Sequence, residues 1–323
     1  MNYYDRPELS YSKFKSFIND PREYEAIYLS KTRVQEESEA MKFGNKFHCF
    51  LLEDYLVDTN YAYEHEILDE FMTTSFAQDV KDRIKKGKIT EAKLSTPEFK
   101  YWFENIKAGN KEIIRDKEIL LLTKMQQSVD ERMKQKLGFT IKEIQKLELA
   151  NVKVEQESFF KDSYSGIDCK TKMDFLIEPC AEFRTGLIVE LKTIDRLISK
   201  SHLRKHIEQM YYHIQLYFNI VGFQALYGLA PHELPRFFWC VVEKKEDRNY
   251  CVIVEAQLST EPSYFEVAKS HFATYVERLS LAMKTGNWTT LDFDDPAILT
   301  PSNYLIDFKN NPDLLFNEND YIF

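Results

Sequence analysis

The 323-residue sequence has few glycines, and this scarcity excludes several nucleotide-binding folds. Only nine glycines are present, and none lies in a phosphate-binding P-loop or in the G-x-G-x-x-G pattern of dinucleotide-binding domains. We therefore do not expect a glycine-rich loop that binds phosphate through its backbone.

Cysteine motifs and long apolar runs are also missing. None of the five cysteines has the C-x-x-C spacing typical of zinc or iron–sulfur sites, so we expect free thiols in a reducing compartment. The N-terminus has no apolar signal-peptide core, and no apolar run approaches the length of a membrane span. These absences predict a cytoplasmic protein that does not enter a membrane.

A surplus of positive charge is absent as well. The net charge of −9 argues against a protein that coats DNA without specificity, but it does not exclude a local basic channel. Such a channel could be lined by Lys192 together with the basic residues that follow it, which are Lys200, His202, Arg204, Lys205 and His206. The simpler interpretation, a solvated helix face, stays open.

Apolar residues, in contrast, are abundant and are arranged for an α/β fold. They make up 44% of the chain, with 24 Phe and 19 Tyr, which suffices for a substantial core. We expect a mainly helical N-terminal part over residues 1–150, a core of alternating strands and helices over 151–285, and an irregular tail over 286–323. Together they predict one compact unit, in which helices flank a central mixed sheet.

Helix boundaries in the N-terminal part can be placed from capping and breaking residues. Ser10 or Ser12 can begin a first helix, and Asp20, which precedes a proline, interrupts it. A second helix is expected over residues 36–54. Within it, Gly44 lies where its small size would permit close packing.

One acidic and one basic side chain are expected to share one face of a buried strand near residue 190. Side chains two positions apart in a strand point to the same face. Glu190 and Lys192 therefore lie side by side, while the opposite face carries the apolar residues Leu187, Val189 and Leu191.

The preceding strand brings a second carboxylate to the same place. Its alternation turns Asp174 to one face and puts the apolar residues Met173, Phe175 and Ile177 on the other. A carboxylate from one strand then meets a carboxylate and an ammonium group from its neighbour. Paired oxygen ligands beside a lysine suit a Mg²⁺ site for phosphodiester chemistry.

Asp174, followed by Glu190-Leu191-Lys192, resembles the D…(D/E)xK signature of the PD-(D/E)xK nuclease superfamily. Three further segments resemble those of RecE-type exodeoxyribonucleases, which are similar to phage exonuclease VIII. They are LSYSKFKSFINDPREY at residues 9–24, MKFGNKFHCFLLE at 41–53 and YYHIQLY at 211–217. All these pieces occur in family order and cover most of the span from residue 9 to about 225.

The resemblance implies a restriction-endonuclease-like core with a Mg²⁺ site, in which Mn²⁺ substitutes. The implied metal ligands are His48, Asp174, Glu190 and the backbone carbonyl of Leu191. The implied catalytic residues are Asp174, Glu190, Lys192, Tyr212 and Gln215.

The role of Lys192 has two chemical alternatives. A charged lysine would stabilise the phosphoryl group and position water, whereas a neutral one could act as a base; we favour the charged form. Glu157, on the first strand of the core, is a candidate auxiliary acid. Its alternative interpretation is a solvated strand residue.

The resemblance further implies an exodeoxyribonuclease that degrades linear double-stranded DNA from its ends, 5′→3′, in phage-type homologous recombination. It implies a single-strand annealing protein as partner and a ring-like trimer or tetramer as the assembly. Two alternatives remain, an endonuclease of the same superfamily and an inactive module that binds DNA ends.

Overall fold

The structure is a computed structural model that describes residues 3–63, 111–146, 151–196, 199–245, 249–260 and 263–289. Residues 64–110 of the expected helical part and residues 290–323 of the expected tail lie outside these ranges. Among the helices of the described ranges, none has the length and apolar character needed to cross a membrane.

The described N-terminal residues are mainly helical. A short 3₁₀ turn (Tyr3–Asp5) precedes α1 (Tyr11–Asn19), α2 (Pro21–Tyr24), a π-helical turn (Glu25–Leu29), α3 (Glu39–Leu52), a 3₁₀ turn (Asp54–Leu56) and α4 (Val57–Asn60). A parallel pair of short strands follows, β1 (Tyr61–Tyr63) with β2 (Glu112–Ile114), and then α5 (Asp116–Leu137) and α6 (Ile141–Lys146).

A five-stranded mixed sheet forms the centre of the fold. Its strands are β3 (Val152–Lys161), β4 (Asp168–Ile177), β5 (Leu187–Ile194), β6 (Arg236–Glu243) and β7 (Cys251–Glu255), in that spatial order. All neighbours are antiparallel except β5 and β6. That parallel pair needs a crossover, which α7 (Lys200–Gln209) and α8 (Tyr212–Tyr227) supply before α9 (Tyr264–Thr285) closes the fold. The expected α/β class is confirmed.

The expected capping residues begin and end the helices. The Ser10 hydroxyl accepts a hydrogen bond from the backbone N–H of Lys13, and Asp20 caps α2 by accepting one from the N–H of Arg22. Gly138 ends α5 with a left-handed backbone at φ 86°, which glycine adopts without steric cost. Local side-chain chemistry therefore sets these boundaries.

Apolar side chains cover both faces of the sheet. One core cluster, which we call the α8-side core, joins the sheet to α1, α8 and α9 through residues such as Phe14, Phe218, Phe272 and Trp239. The other, the α3-side core, joins it to α3 and α5 through residues such as Phe47, Leu122, Phe175 and Val189. The sheet is buried between these two layers of helices.

Glycine packing differs from the expectation for Gly44. A Cβ added at Gly44 would meet no atom within 4 Å, so close packing is not the reason for glycine there. At Gly222 in α8, a Cβ would lie 2.5 Å from the Thr171 methyl group, and the Gly222 carbonyl accepts a 2.7 Å hydrogen bond from Ser158 Oγ. The close approach of α8 to β3 and β4 therefore depends on Gly222.

The alternation of β4 breaks at Asp174. Phe175 and Ile177 pack in the α3-side core, but Met173 packs in the α8-side core. The expectation that these three side chains share one face is wrong. The switch coincides with Glu155 on the neighbouring strand, whose left-handed backbone (φ 49°) interrupts the regular pleat.

Candidate active site

A cleft of about 1070 Å³ lies where β4 and β5 separate. Backbone pairing between these strands covers only Phe175–Ile177 and Leu187–Val189, so each strand continues beyond it without the other. The cleft is lined from α1, α3, α7, α8 and the strands β3 to β5. All expected ligands and catalytic residues except Glu157 border it, namely His48, Asp174, Glu190, Leu191, Lys192, Tyr212 and Gln215.

Asp174 bridges the two strands at the point where they part. Its side chain is buried, and its Oδ2 accepts a 2.7 Å hydrogen bond from the backbone N–H of Leu191. The carboxylate thus satisfies an N–H that lies beyond the paired part of β4 and β5. Its other oxygen, Oδ1, lies 3.5 Å from His48 Nδ1.

Three potential ligand atoms for a metal converge beside Asp174. His48, on α3, has its Nδ1 3.5 Å from Glu155 Oε1 and the same distance from Asp174 Oδ1. One ligand atom from each of these residues lies within 4.8 Å of the others. An imidazole and two carboxylates, from a helix and two strands, therefore meet at one point of the cleft.

Glu155 is the member of this group that the sequence analysis missed. The register of β3 against β4 places Glu155 opposite Asp174, between the pairs Val154↔Phe175 and Gln156↔Met173. Glu157, the expected auxiliary acid, is exposed and does not border the cleft. Both are acidic residues on one face of an alternating run, so only the register of the hairpin distinguishes them.

The charges of the three groups depend on each other. Burial alone would lower the pKa of His48, but the carboxylates of Asp174 and Glu155 outweigh it and raise that pKa to about 9. Burial would raise the pKa of Glu155, yet its hydrogen bond to His48 and the charges of His48 and Lys172 lower it. Glu155 Oε2 lies 2.7 Å from Lys172 Nζ, which fixes the carboxylate from the other side.

The position of Asp174 disfavours a negative charge on its carboxyl group. Burial, and then the nearby carboxylate of Glu190, raise its pKa to about 7, against the opposing charges of His48 and Lys192. A cation beside these two carboxylates would relieve their repulsion. The site is thus arranged to gain from a bound positive charge.

Glu190 is held by three donors. It is 1% exposed, and it accepts hydrogen bonds from Lys192 Nζ at 2.7 Å, from Asn219 Nδ2 at 2.8 Å and from Gln215 Nε2. Asn219 in turn accepts a hydrogen bond from the Thr171 hydroxyl. Gln215 and Asn219 lie one turn apart on α8, which fixes the carboxylate against that helix. Asn219, like Glu155, was not anticipated from the sequence.

Lys192 lies between the carboxylates and an aromatic ring. Its Nζ is 4.9 Å from the centroid of the Tyr212 ring. Burial would lower the pKa of this lysine, but the charges of Glu190 and Asp174 raise it instead. Lys192 is therefore an ammonium ion at neutral pH in this arrangement.

Further basic side chains line the same cleft. They include Lys15, Arg196, His202, His206 and Lys244. The exposed Asp195 also lines it and lies 3.1 Å from Lys244 Nζ. Three of the residues expected to line a basic channel, Lys200, Arg204 and Lys205, are instead exposed on α7 and do not border the cleft.

The donor set fits a divalent cation. Carboxylate oxygens are ligands of Mg²⁺ and Mn²⁺, and an imidazole nitrogen suits transition metals such as Mn²⁺ better than Mg²⁺. His48, Glu155 and Asp174 can hold such an ion together, because their ligand atoms lie within 4.8 Å of one another. Glu190 and Leu191 border the same cleft.

One comparison with known proteins identifies the type of domain. A family model described as a PDDEXK-like domain of unknown function (DUF3799) matches residues 10–291, which include every member of the candidate site. No match is found among curated proteins. One solved structure, "Crystal structure of SSO0001", is 12% identical with a TM-score of 0.28, over 80% of this chain and 98% of that chain.

Proposed function

The chain belongs to the PDDEXK-like family of unknown function (DUF3799), and from this premise we propose that it is a metal-dependent exodeoxyribonuclease. It degrades linear double-stranded DNA from its ends, with 5′→3′ polarity. Membership of a PDDEXK-like family supports nuclease-type hydrolysis. The observation that carries the proposal is the meeting of Asp174, Glu190 and Lys192 beside His48 in one cleft.

The proposed cofactor is Mg²⁺, for which Mn²⁺ substitutes. When bound, such an ion polarises the scissile phosphate and lowers the pKa of the attacking water. His48, Glu155 and Asp174 would hold the ion, and Glu190 and the backbone carbonyl of Leu191 would be its further ligands. The repulsion between Asp174 and Glu190 supports a cation at this point, since each carboxylate is buried.

Lys192 acts as a charged group in this mechanism. Its raised pKa supports an ammonium ion, which stabilises the charge that builds on the phosphoryl oxygens and positions the water. A base would have to be neutral, which the neighbouring Glu190 and Asp174 oppose. Gln215 holds Glu190, and Tyr212 packs its ring against the ammonium group.

The biological setting is proposed from similarity of segments. Residues 9–24, 41–53 and 211–217 resemble those of RecE-type enzymes, and this supports a role in phage-type homologous recombination. The products would be single strands passed to an annealing protein. A ring-like trimer or tetramer that encloses the duplex is the corresponding assembly.

Two DNA substrates test the activity. The purified protein is incubated with Mg²⁺ and either linear duplex labelled at one 5′ end or covalently closed circular DNA. We expect release of labelled nucleotides from the linear duplex and no cleavage of the circle. Lys192→Ala should lose activity, whereas Lys269→Ala, on α9, should retain it. A wild type that releases nothing, or a Lys192→Ala variant that matches it, contradicts the proposal.

The endonuclease alternative predicts cleavage of the closed circle in the same assay. The alternative of an inactive module that binds DNA ends predicts no hydrolysis and no Mg²⁺ binding that depends on Asp174 and Glu190. Calorimetry with Mg²⁺ on the wild type and the Asp174→Asn variant tests that difference.

A further inference from the structure

The N-terminal strap, residues 3–9, lies beside the cleft. It pairs with β4 where β4 is not paired with β5. Leu9 forms a parallel bridge with Cys169, and its N–H and carbonyl bond the backbone of Asp168 and Lys170 at 2.9 Å each. β3 pairs with the other edge of β4, whereas β5 pairs only with Phe175–Ile177. Tyr3 and Tyr4 of the strap line the cleft.

Two lysines hold the strap in one conformation. Lys170 is 1% exposed, and its Nζ donates hydrogen bonds to the carbonyls of Tyr3 and, at 3.1 Å, Arg6. Lys13 Nζ donates to the same Arg6 carbonyl at 2.7 Å and to that of Glu8 at 3.1 Å. A buried ammonium group is thus used to fix the backbone of a short surface segment.

The two tyrosines at the start of the strap have different surroundings. The Tyr3 ring packs against Lys170 Nζ at 4.4 Å and lies 6.3 Å from the Phe159 ring, centroid to centroid. Tyr4 is 72% exposed, and its ring lies edge-on to that of Tyr3 at 5.4 Å. The anchored Tyr3 therefore presents Tyr4 to solvent at the cleft.

Tyr4 stands next to the candidate metal ligands. Its ring centroid is 6.0 Å from Lys172 Nζ, which is itself 2.7 Å from Glu155 Oε2. This places the ring within about two to three nucleotide steps of the ligand group, at ~3.4 Å per step of a stacked strand. A base close to the scissile phosphate can therefore reach the ring.

We propose that Tyr4 is a stacking platform for an unpaired base of the DNA strand being cut. Exposed aromatic rings beside a nucleic-acid channel stack on any base, since every base has a π-face. The inference rests on the proposed function and extends it, because it names an unpaired base at a frayed duplex end as a group that the protein binds. Fixing the strap in advance reduces the conformational entropy lost when a base binds.

Stacking can be measured without cleavage. A single-stranded oligonucleotide with 2-aminopurine near its 5′ end is titrated with the full-length Lys192→Ala protein in Mg²⁺, and quenching of the base analogue reports stacking. Into this parent we introduce Tyr4→Ala, Tyr4→Phe and, as a matched control, Tyr164→Ala, a tyrosine 61% exposed that does not border the cleft. Hydrolysis of DNA by the wild type is assayed in parallel.

We expect Tyr4→Ala to lose the quenching and to bind the oligonucleotide about 5- to 150-fold more weakly. Tyr4→Phe and Tyr164→Ala should behave like the parent. Equal quenching and affinity in Tyr4→Ala and the parent, or an equal loss in Tyr164→Ala, would overturn the inference. If the wild type does not hydrolyse DNA but the quenching depends on Tyr4, only the proposed function is rejected. If the wild type hydrolyses DNA and Tyr4→Ala binds the oligonucleotide normally, only the stacking role is rejected.

Discussion

Glu155 lies opposite Asp174 across the β3–β4 pair. The Nδ1 atom of His48, on α3, lies 3.5 Å from a carboxylate oxygen of each of them. This relationship makes Glu155 a candidate metal ligand that the sequence signature does not contain. Asp174 alone would leave the imidazole with one carboxylate partner. Together with His48, the two carboxylates offer two oxygen ligands and one nitrogen ligand.

Replacing Glu155 should weaken metal binding. Glu155→Gln removes one negative charge from the ligand group. We expect the affinity for Mn²⁺ to fall at least about 10- to 100-fold, the loss that follows when a residue supporting a ligand is replaced. Calorimetry measures the change. Glu157→Gln is the matched control, since it lies two residues away on the same strand and is exposed. Equal affinities of the two variants would show that Glu155 is not a ligand.

The two glycines of the helices that border the sheet should respond to alanine in opposite ways. Gly222→Ala places a methyl group against Thr171, whose hydroxyl is bonded to Asn219, and the overlap should cost about 1–3 kcal/mol of stability. Gly44→Ala meets no atom within 4 Å and should gain about 0.5–1 kcal/mol from helix propensity. Urea unfolding of both variants at pH 7 checks the signs.

A destabilised Gly44→Ala protein, or a Gly222→Ala protein as stable as the wild type, would contradict the packing described for α3 and α8. The two changes have the same chemistry, so a general effect of alanine in helices cannot produce opposite results.

The hairpin between β3 and β4 should depend on one buried carboxylate. Asp162 accepts hydrogen bonds from the backbone N–H groups of Tyr164 and Ser165, at 3.1 and 2.6 Å, and from the Tyr217 hydroxyl at 2.8 Å. Asp162→Ala leaves these donors unpaired and should lower the free energy of unfolding by about 3 kcal/mol. The exposed Asp168 gives the control variant Asp168→Ala; similar unfolding midpoints for the two variants would refute this role.

Acid should destabilise the protein through His213. This residue is buried on α8, and its Nε2 lies 3.0 Å from His271 Nδ1 on α9. Burial, and then the charge of His271, lower the pKa of His213 to about 4, below its value of about 6.5 in the unfolded chain. The unfolded state therefore binds more protons, and stability present above pH 6.5 is lost as the pH falls toward 4.

Urea unfolding between pH 7 and pH 4.5 checks this dependence. The slope of stability against pH should be shallower in His213→Gln than in the wild type, because the variant has no proton to take up at that position. Parallel slopes in the two proteins would mean that His213 does not contribute.

Periodicity and capping residues predicted much of the fold, because these signals act over a few residues. The strand that carries Glu190 and Lys192 and the capped start of α1 both followed from local patterns. The α/β class followed from their order along the chain.

The remaining features depend on contacts between distant segments. The alternation of apolar and polar residues cannot reveal that the left-handed backbone of Glu155 coincides with a change of face at Met173. Nor can it distinguish Glu155 from Glu157 as the residue opposite Asp174, because that depends on the hairpin register. Asn219 appears in the sequence as a polar residue of an apolar helix. Only the packing of α8 on β5 shows that it bonds Glu190.

An anomalous difference map from crystals soaked in Mn²⁺ shows directly whether His48, Glu155 and Asp174 hold a metal. We expect one strong peak within bonding distance of His48 Nδ1 and of carboxylate oxygens of Glu155 and Asp174. A protein that hydrolyses DNA but has no peak there, or binds Mn²⁺ only elsewhere, would refute this metal site.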